Sequence, residues 1–266
     1  MWTHSFNCAD TNALQQKLDS VAETAAPTLG LVFCSAAHSV AGIRQIFAER
    51  NIDLVGCTTA GEIVDQRLYE NSIAVLLMDL SPDYYHIGTI HHTGDNVRQA
   101  AYDLGATAKV QFEQPALLIL SGGIAVNAEL IIEGLQEGAG QALPMYGGLA
   151  GDDLALENTY AFSQDGASEN CLVTLAVDTE KVLLKGLAIS GWEPVGGVNT
   201  ITECEGNVIY AINGEPAYDV FSRYFGLFDK ENKVDQLVTI QTNYPLQILR
   251  KEGYTVLRSP ILVDEE

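Results

Sequence analysis

The residues best suited to chemistry in this chain gather in two glycine-rich stretches, Gly56-Cys57-Thr58-Thr59-Ala60-Gly61-Glu62 and Gly147-Gly148-Leu149-Ala150-Gly151-Asp152-Asp153. Glycine lets backbone approach a ligand closely, and successive N–H groups can converge on an anion. Thr58, Thr59, Glu62, Asp152 and Asp153 add hydroxyls and carboxylates, so both hydrogen-bonding senses are represented. N–H groups for a carboxylate and an acid for an ammonium suit a zwitterion. An amino-acid-like ligand is therefore expected, with Gly56, Cys57, Thr58, Thr59, Gly61 and Glu62 on one side and Gly148, Gly151, Asp152 and Asp153 on the other. Ser121, where an apolar strand stops, and Trp192, as an aromatic wall, are added to this set; the plainer reading is tight turns for the glycines and core packing for Trp192.

Other chemistries fit less well. Neither stretch continues into Gly-Lys-Ser or Gly-Lys-Thr, and no G-x-G-x-x-G stands at a strand-to-helix junction, which disfavours nucleotides. A thiol or serine acyl-transfer or hydrolase enzyme would need a base beside Cys57 or Ser121; no histidine is near Cys57 in sequence, and Ser121-Gly122-Gly123 lacks the G-x-S-x-G elbow. The expected behaviour is non-catalytic. Among His4, His38, His86, His91 and His92, His38 is the best placed for a single axial bond to haem iron, the basis of an alternative reading as a haem-based nitric oxide sensor. The five cysteines form no C-x-x-C pair, so no metal site is expected and reduced thiols in a cytoplasmic protein fit best.

Fourteen basic against thirty-five acidic residues give a formal net charge of −21, which repels nucleic acid and anionic membrane surfaces. No apolar run approaches the roughly 18 residues that span a bilayer, and the N-terminus has no leader pattern, so neither membrane insertion nor export is expected.

The elements that must position these residues follow from periodicity. Asp10 or Thr11 caps a helix closed by Pro27; Thr28–Phe33 is a buried strand ending at Cys34-Ser35; Ser39–Arg50 is a helix leading to the strand Ile52–Val55 and the first glycine stretch. Strands Ser72–Leu80 and Tyr84–His91 come next, then a helix over Val97–Gln111, a strand over Ala116–Leu120 and a helix capped by Asn127. Beyond the second glycine stretch, Tyr160–Phe162 and Cys171–Val177 read as strands. The order of strand ending in serine, helix, strand, glycine stretch and apolar strand occurs twice, so the fold class is mixed α/β with an internally duplicated unit. The two glycine stretches would then face each other across a cleft. From Lys181 the texture turns strand-rich, with Val182–Ser190, Val198–Glu203, a turn at Glu205-Gly206-Asn207, Val208–Ile212, and one helix from Pro216 to Gly226.

Both glycine stretches, together with Ser190-Gly191-Trp192-Glu193-Pro194 and Asn213-Gly214-Glu215-Pro216-Ala217-Tyr218-Asp219-Val220, resemble in order the FIST family of bacterial sensory proteins. The resemblance implies a FIST N-terminal domain over about residues 1–200 and the start of a FIST C-terminal domain over 201–266, incomplete beside longer members. It also implies small-ligand sensing in signal transduction, with output through a separate signalling protein such as a histidine kinase or a cyclic-dinucleotide enzyme. One branch of the family is described as binding haem.

Overall fold

The computed structural model describes residues 2–93, 95–124, 126–153, 155, 157–187, 191–206, 208–225, 244–250, 253 and 255–260. Contacts divide the chain into Met1–Leu187 and Ala188–Glu266.

In the first unit the chain runs β1 (Thr3–Cys8), α1 (Thr11–Ala22), β2 (Leu29–Ser35), α2 (Val40–Ala48), β3 (Asp53–Thr59), a hairpin of β4 (Glu62–Val64) and β5 (Arg67–Tyr69), and β6 (Ile73–Met78). It continues with β7 (Tyr85–His91), α3 (Val97–Gln111), β8 (Pro115–Ser121), α4 (Ala128–Ala139), β9 (Met145–Leu149), a hairpin of β10 (Ala161–Ser163) and β11 (Ala167–Ser168), and β12 (Cys171–Asp178). The mixed α/β class expected from the periodicity is the one observed.

Helix starts lie where short polar side chains can satisfy free N–H groups. Asp10 Oδ1 accepts from Ala13 N at 2.8 Å, Ser39 Oγ from Gly42 N at 3.1 Å, and Asn127 Oδ1 from Glu129 N at 3.0 Å. The β4–β5 hairpin turns through Asp65 (φ 50°) and Gln66 (φ 64°), the positive pair that a two-residue turn matching strand twist requires.

Two sheets form, in the orders β1-β6-β2-β3-β10-β11 and β7-β12-β8-β9. The run β1-β6-β2-β3 and the whole second sheet share one order and one set of pairing senses: antiparallel, antiparallel, then parallel. They differ at one edge. β3 carries β10 antiparallel on its outer side, whereas β9, in the matching place, ends its sheet among the described residues.

Strand alternation sends each sheet's side chains two ways. Val32, Leu54 and Phe162 pack outward with Leu14, Leu18, Ile43 and Phe47 of α1 and α2. Leu117, Leu172 and Ala176 pack with Ala101, Leu104 and Leu135 of α3 and α4. Between the sheets lie Leu29, Val55 and Cys57 from one and Ala116, Leu120, Val173 and Leu175 from the other. The result is four layers: helices, sheet, sheet, helices. Tyr85 ties the middle layers by donating its hydroxyl to Asp53 Oδ2 at 2.7 Å. The contact of α3 with α4 is close because Gly105, Gly134 and Gly138 present no side chains there; a Cβ on Gly138 would overlap the carbonyl oxygen of Tyr102.

Two segments differ from the sequence reading. β1 was not expected, because only Phe6 and Cys8 of its six residues are buried and the apolar signal is weak. Val182–Leu187 joins no sheet; Val182 and Leu184 pack against the inter-sheet core while Leu183 and Leu187 are exposed. Ser190, Asn207 and Gly226 lie outside the described residues.

The second unit holds β13 (Ile201–Glu205), β14 (Val208–Ile212) and β15 (Glu215–Pro216) in one antiparallel sheet, α5 (Ala217–Phe225), and the pair β16 (Leu246–Leu249) and β17 (Thr255–Arg258). Ile212, Ala217 and Val220 form its small core. Among the described residues no helix is long and apolar enough to cross a membrane.

Candidate functional site

The parallel pairs β2–β3 and β8–β9 end at Ser35 beside Thr59 and at Ser121 beside Leu149. The chain leaving β9 is strapped across both ends. Ala150 N donates to Ser121 O at 2.8 Å, Gly151 N donates to Thr58 O at 2.8 Å, and Asp153 Oδ2 accepts from Ser35 Oγ at 2.6 Å. Gly151 lets the crossing be close, since a Cβ there would stand a tight 3.1 Å from Ala60 N. The two glycine stretches therefore touch, and the cleft expected between them is replaced by this contact.

Only part of each stretch is loop. Gly56, Cys57, Thr58 and Thr59 belong to β3, and Gly147, Gly148 and Leu149 form most of β9. Gly56 serves packing: a Cβ would overlap the Phe162 ring and the Val32 carbonyl. Gly148, by contrast, is exposed with nothing within 4 Å of a Cβ position.

Much of the polar equipment is already engaged. Glu62 is 1% exposed; its Oε1 accepts from Thr59 Oγ1 at 2.7 Å and its Oε2 from Ser72 N at 3.2 Å and Ser72 Oγ at 2.7 Å. Asn7 Nδ2 donates in turn to Ser72 Oγ at 2.7 Å. Asp152 Oδ2 accepts from Glu157 N at 2.5 Å and Asn158 N at 2.9 Å, which holds the turn after the strap. Thr58 Oγ1 accepts from Tyr160 N at 2.9 Å and so seats β10 on β3. Ser121 Oγ donates to the carbonyl of its neighbour Gly122 at 3.0 Å.

What remains for a ligand is small and specific. Asp153 is exposed, sits at φ 56°, and has one carboxylate oxygen beyond the one bonded to Ser35. The N–H groups of Ala60 and Gly61 have no hydrogen-bond partner among the described residues. An N–H pair and a carboxylate thus share one rim, brought together by the contact of Gly151 with Ala60.

The groups considered for other chemistry are placed differently. Cys57 is 3% exposed in the inter-sheet core, and burial pushes its thiol up to about 12. Cys34 is pushed to about 12 as well, by burial first and then by Cys57, Glu62 and Asp153. A thiol in this state is protonated at neutral pH and a poor nucleophile. Iodoacetamide applied to the folded protein at pH 8 is accordingly expected to label exposed Cys204 and to spare Cys34 and Cys57, as peptide mass spectrometry would read. His38 Nε2 lies 3.1 Å from the Asn71 carbonyl, so that ring nitrogen is engaged. Trp192 belongs to the second unit and is 48% exposed.

Sequence reasoning missed Asn7 and Ser72, which complete the Glu62 network, and did not assign a partner to Ser35. Ser35 was marked as the polar end of an apolar strand; Asn7 carried no signal because its strand was not recognised.

The FIST N domain family matches residues 28–215, a span that begins just before β2 and includes the strap, both glycine stretches and the start of the second unit. The chain belongs to that family. FIST N domains are sensory, non-enzymatic parts of signalling proteins. Over 116 residues this FIST chain is 27% identical to an uncharacterized protein of Methanocaldococcus jannaschii, covering 44% of the chain and 20% of that protein. The chain therefore matches about a fifth of that relative's length. No solved structure matches it.

Proposed function

We propose that this FIST domain is the small-ligand sensor of a cytoplasmic signalling system and that its ligand is an amino-acid-like zwitterion held at the strap. The observation that supports this reading is the shared rim: the unpartnered N–H groups of Ala60 and Gly61 suit a carboxylate, and Asp153 suits an ammonium. Glu62 and Asp152 act behind the rim, fixing the backbone on each side.

A ligand ammonium at the free oxygen of Asp153 draws on the carboxylate whose other oxygen bonds the Ser35 hydroxyl, and so weakens that bond. A ligand that prefers the released arrangement shifts the balance between strap conformations by its difference in affinity for the two. A separate signalling protein, of the histidine kinase or cyclic-dinucleotide enzyme kind, would read that shift.

A thermal-shift screen against the free amino acids tests the reading. A ligand at about 100 times its Kd stabilises the folded state by about 2.7 kcal/mol. Asp153→Ala is expected to abolish the shift for any hit, while Ser35→Ala, which frees the carboxylate, is expected to preserve or strengthen it. A full shift in Asp153→Ala, or no shift with any amino acid, would remove the proposal.

A further inference from the structure

The edge of β9 is a second feature with recognisable chemistry, independent of what the strap binds. We propose that this edge is a docking site for an extended, basic segment of a partner protein, which adds to the second sheet as an antiparallel strand.

The two sheets supply the comparison. β3 and β9 occupy the same place in identical four-strand orders, and β3 receives β10 on its outer side. The register Ala161 opposite Cys57, Phe162 opposite Gly56 and Ser163 opposite Val55 shows that such an edge accepts an antiparallel strand within this architecture. β9 pairs only with β8 among the described residues.

Its hydrogen-bonding groups are available. Leu117 N donates to Pro144 O and Ala150 N donates to Ser121 O, so the even-numbered residues of β9 face β8. In a strand the intervening residues then turn their N–H and C=O groups the other way. Those residues are Met145, Gly147 and Leu149, and the latter two have no hydrogen-bond partner outside the ladder among the described residues. Gly147, Gly148 and Leu149 are exposed. The strand Met145-Tyr146-Gly147-Gly148-Leu149 also carries none of the charges or internal prolines that blunt free edges.

Charge selects the occupant. A second copy would bring another −21, and the exposed acids Asp153 and Glu157 follow β9 closely. Like charges on both copies oppose edge-to-edge pairing, whereas a strand flanked by lysine or arginine is drawn in. The chain's own Val182–Leu187 reaches the Tyr146 ring at Gly186, yet it forms no ladder with β9.

The probe is a fluorescein-labelled peptide, Lys-Thr-Val-Thr-Val-Thr-Lys, with a counterpart in which both lysines are glutamates. Saturable binding of the lysine peptide at low salt is expected, with at least a tenfold loss for the glutamate peptide. Leu149→Pro removes an outward N–H and leaves the bonds to β8 in place, since proline is tolerated where an edge N–H faces solvent. It is expected to weaken binding at least tenfold, while Leu149→Ala retains it. In the unaltered protein the Leu149 amide is expected to exchange fast and to become protected by the peptide, a readout that needs no variant. The proposal is overturned by absent binding, by equal binding to Leu149→Pro, or by a Leu149 amide already protected in the free protein. A dimer in sedimentation that Leu149→Pro dissolves would likewise overturn it, assigning the edge to a second copy.

Discussion

Glu62→Ala is expected to lower the stability of the first unit by about 3 kcal/mol, because buried donors left without an acceptor cost about 1–3 kcal/mol each. The carboxylate is 1% exposed and accepts from the Thr59 hydroxyl, the Ser72 amide and the Ser72 hydroxyl. Thr59 is half-buried and can turn toward water, so the loss is carried by Ser72, 4% exposed, whose hydroxyl also anchors Asn7. For a unit of this size the melting temperature falls by roughly 6–12 °C. Glu62→Gln keeps an acceptor oxygen and is expected to cost less than half as much. Thermal melts of the two variants check the prediction; equal losses would mean that the side chain's volume, rather than its acceptors, stabilises this corner.

The second large effect is expected at Gly138, where two tendencies oppose each other. Helix propensity alone makes Gly138→Ala stabilising by at most about 1 kcal/mol, the helix-interior value, since Gly138 lies in the last turn of α4. The added Cβ would overlap the Tyr102 carbonyl oxygen and stand 2.8 Å from Ala106 N, both backbone atoms of α3 that cannot swing aside. Forcing helices apart in a packed layer costs about 1–3 kcal/mol. The clash is expected to win, giving a net destabilisation of about 1–2 kcal/mol for alanine and more for valine. Urea denaturation reads the sign directly, and a stabilised Gly138→Ala would show that α3 and α4 yield at this contact.

The helices were legible because their signals are local: a cap at Asp10 or Thr11, a helix from Ser39 and a cap at Asn127, each before an apolar face at helical spacing, correspond to the observed starts. The mixed α/β class was legible too, from apolar strand runs alternating with helical spacing. What escaped was long-range. Glycine is ambiguous in sequence, permitting a loop or a close approach of neighbouring chains; Gly56 and Gly147 are in strands because Phe162 and the Ile119 carbonyl approach them. Likewise Thr58 reads as a ligand group, yet it holds the backbone of Tyr160, 102 residues away, while Asp152 holds the turn just ahead of it at Glu157 and Asn158. The pairing of Ser35 with Asp153 joins residues 118 apart in sequence and leaves no local trace. Val182–Leu187 shows the opposite failure: half-buried Val182 and Leu184 alternate with exposed Leu183 and Lys185 as in a strand, but no neighbour pairs with the segment among the described residues.

The seating of β10 on β3 carries a consequence for the nascent chain. The strands β1, β6, β2 and β3 are all synthesised by Met78, but the segment that covers the outer edge of β3 begins at Ala161. A ribosome adding about 5–20 residues per second leaves that edge uncovered for several seconds. During this interval the half-made protein displays open strand backbone beside Gly56, where no side chain obstructs an intruder. Co-translational yield is therefore expected to depend on how quickly the second half follows the first, and a pause placed between β9 and β10 should favour aggregation over folding.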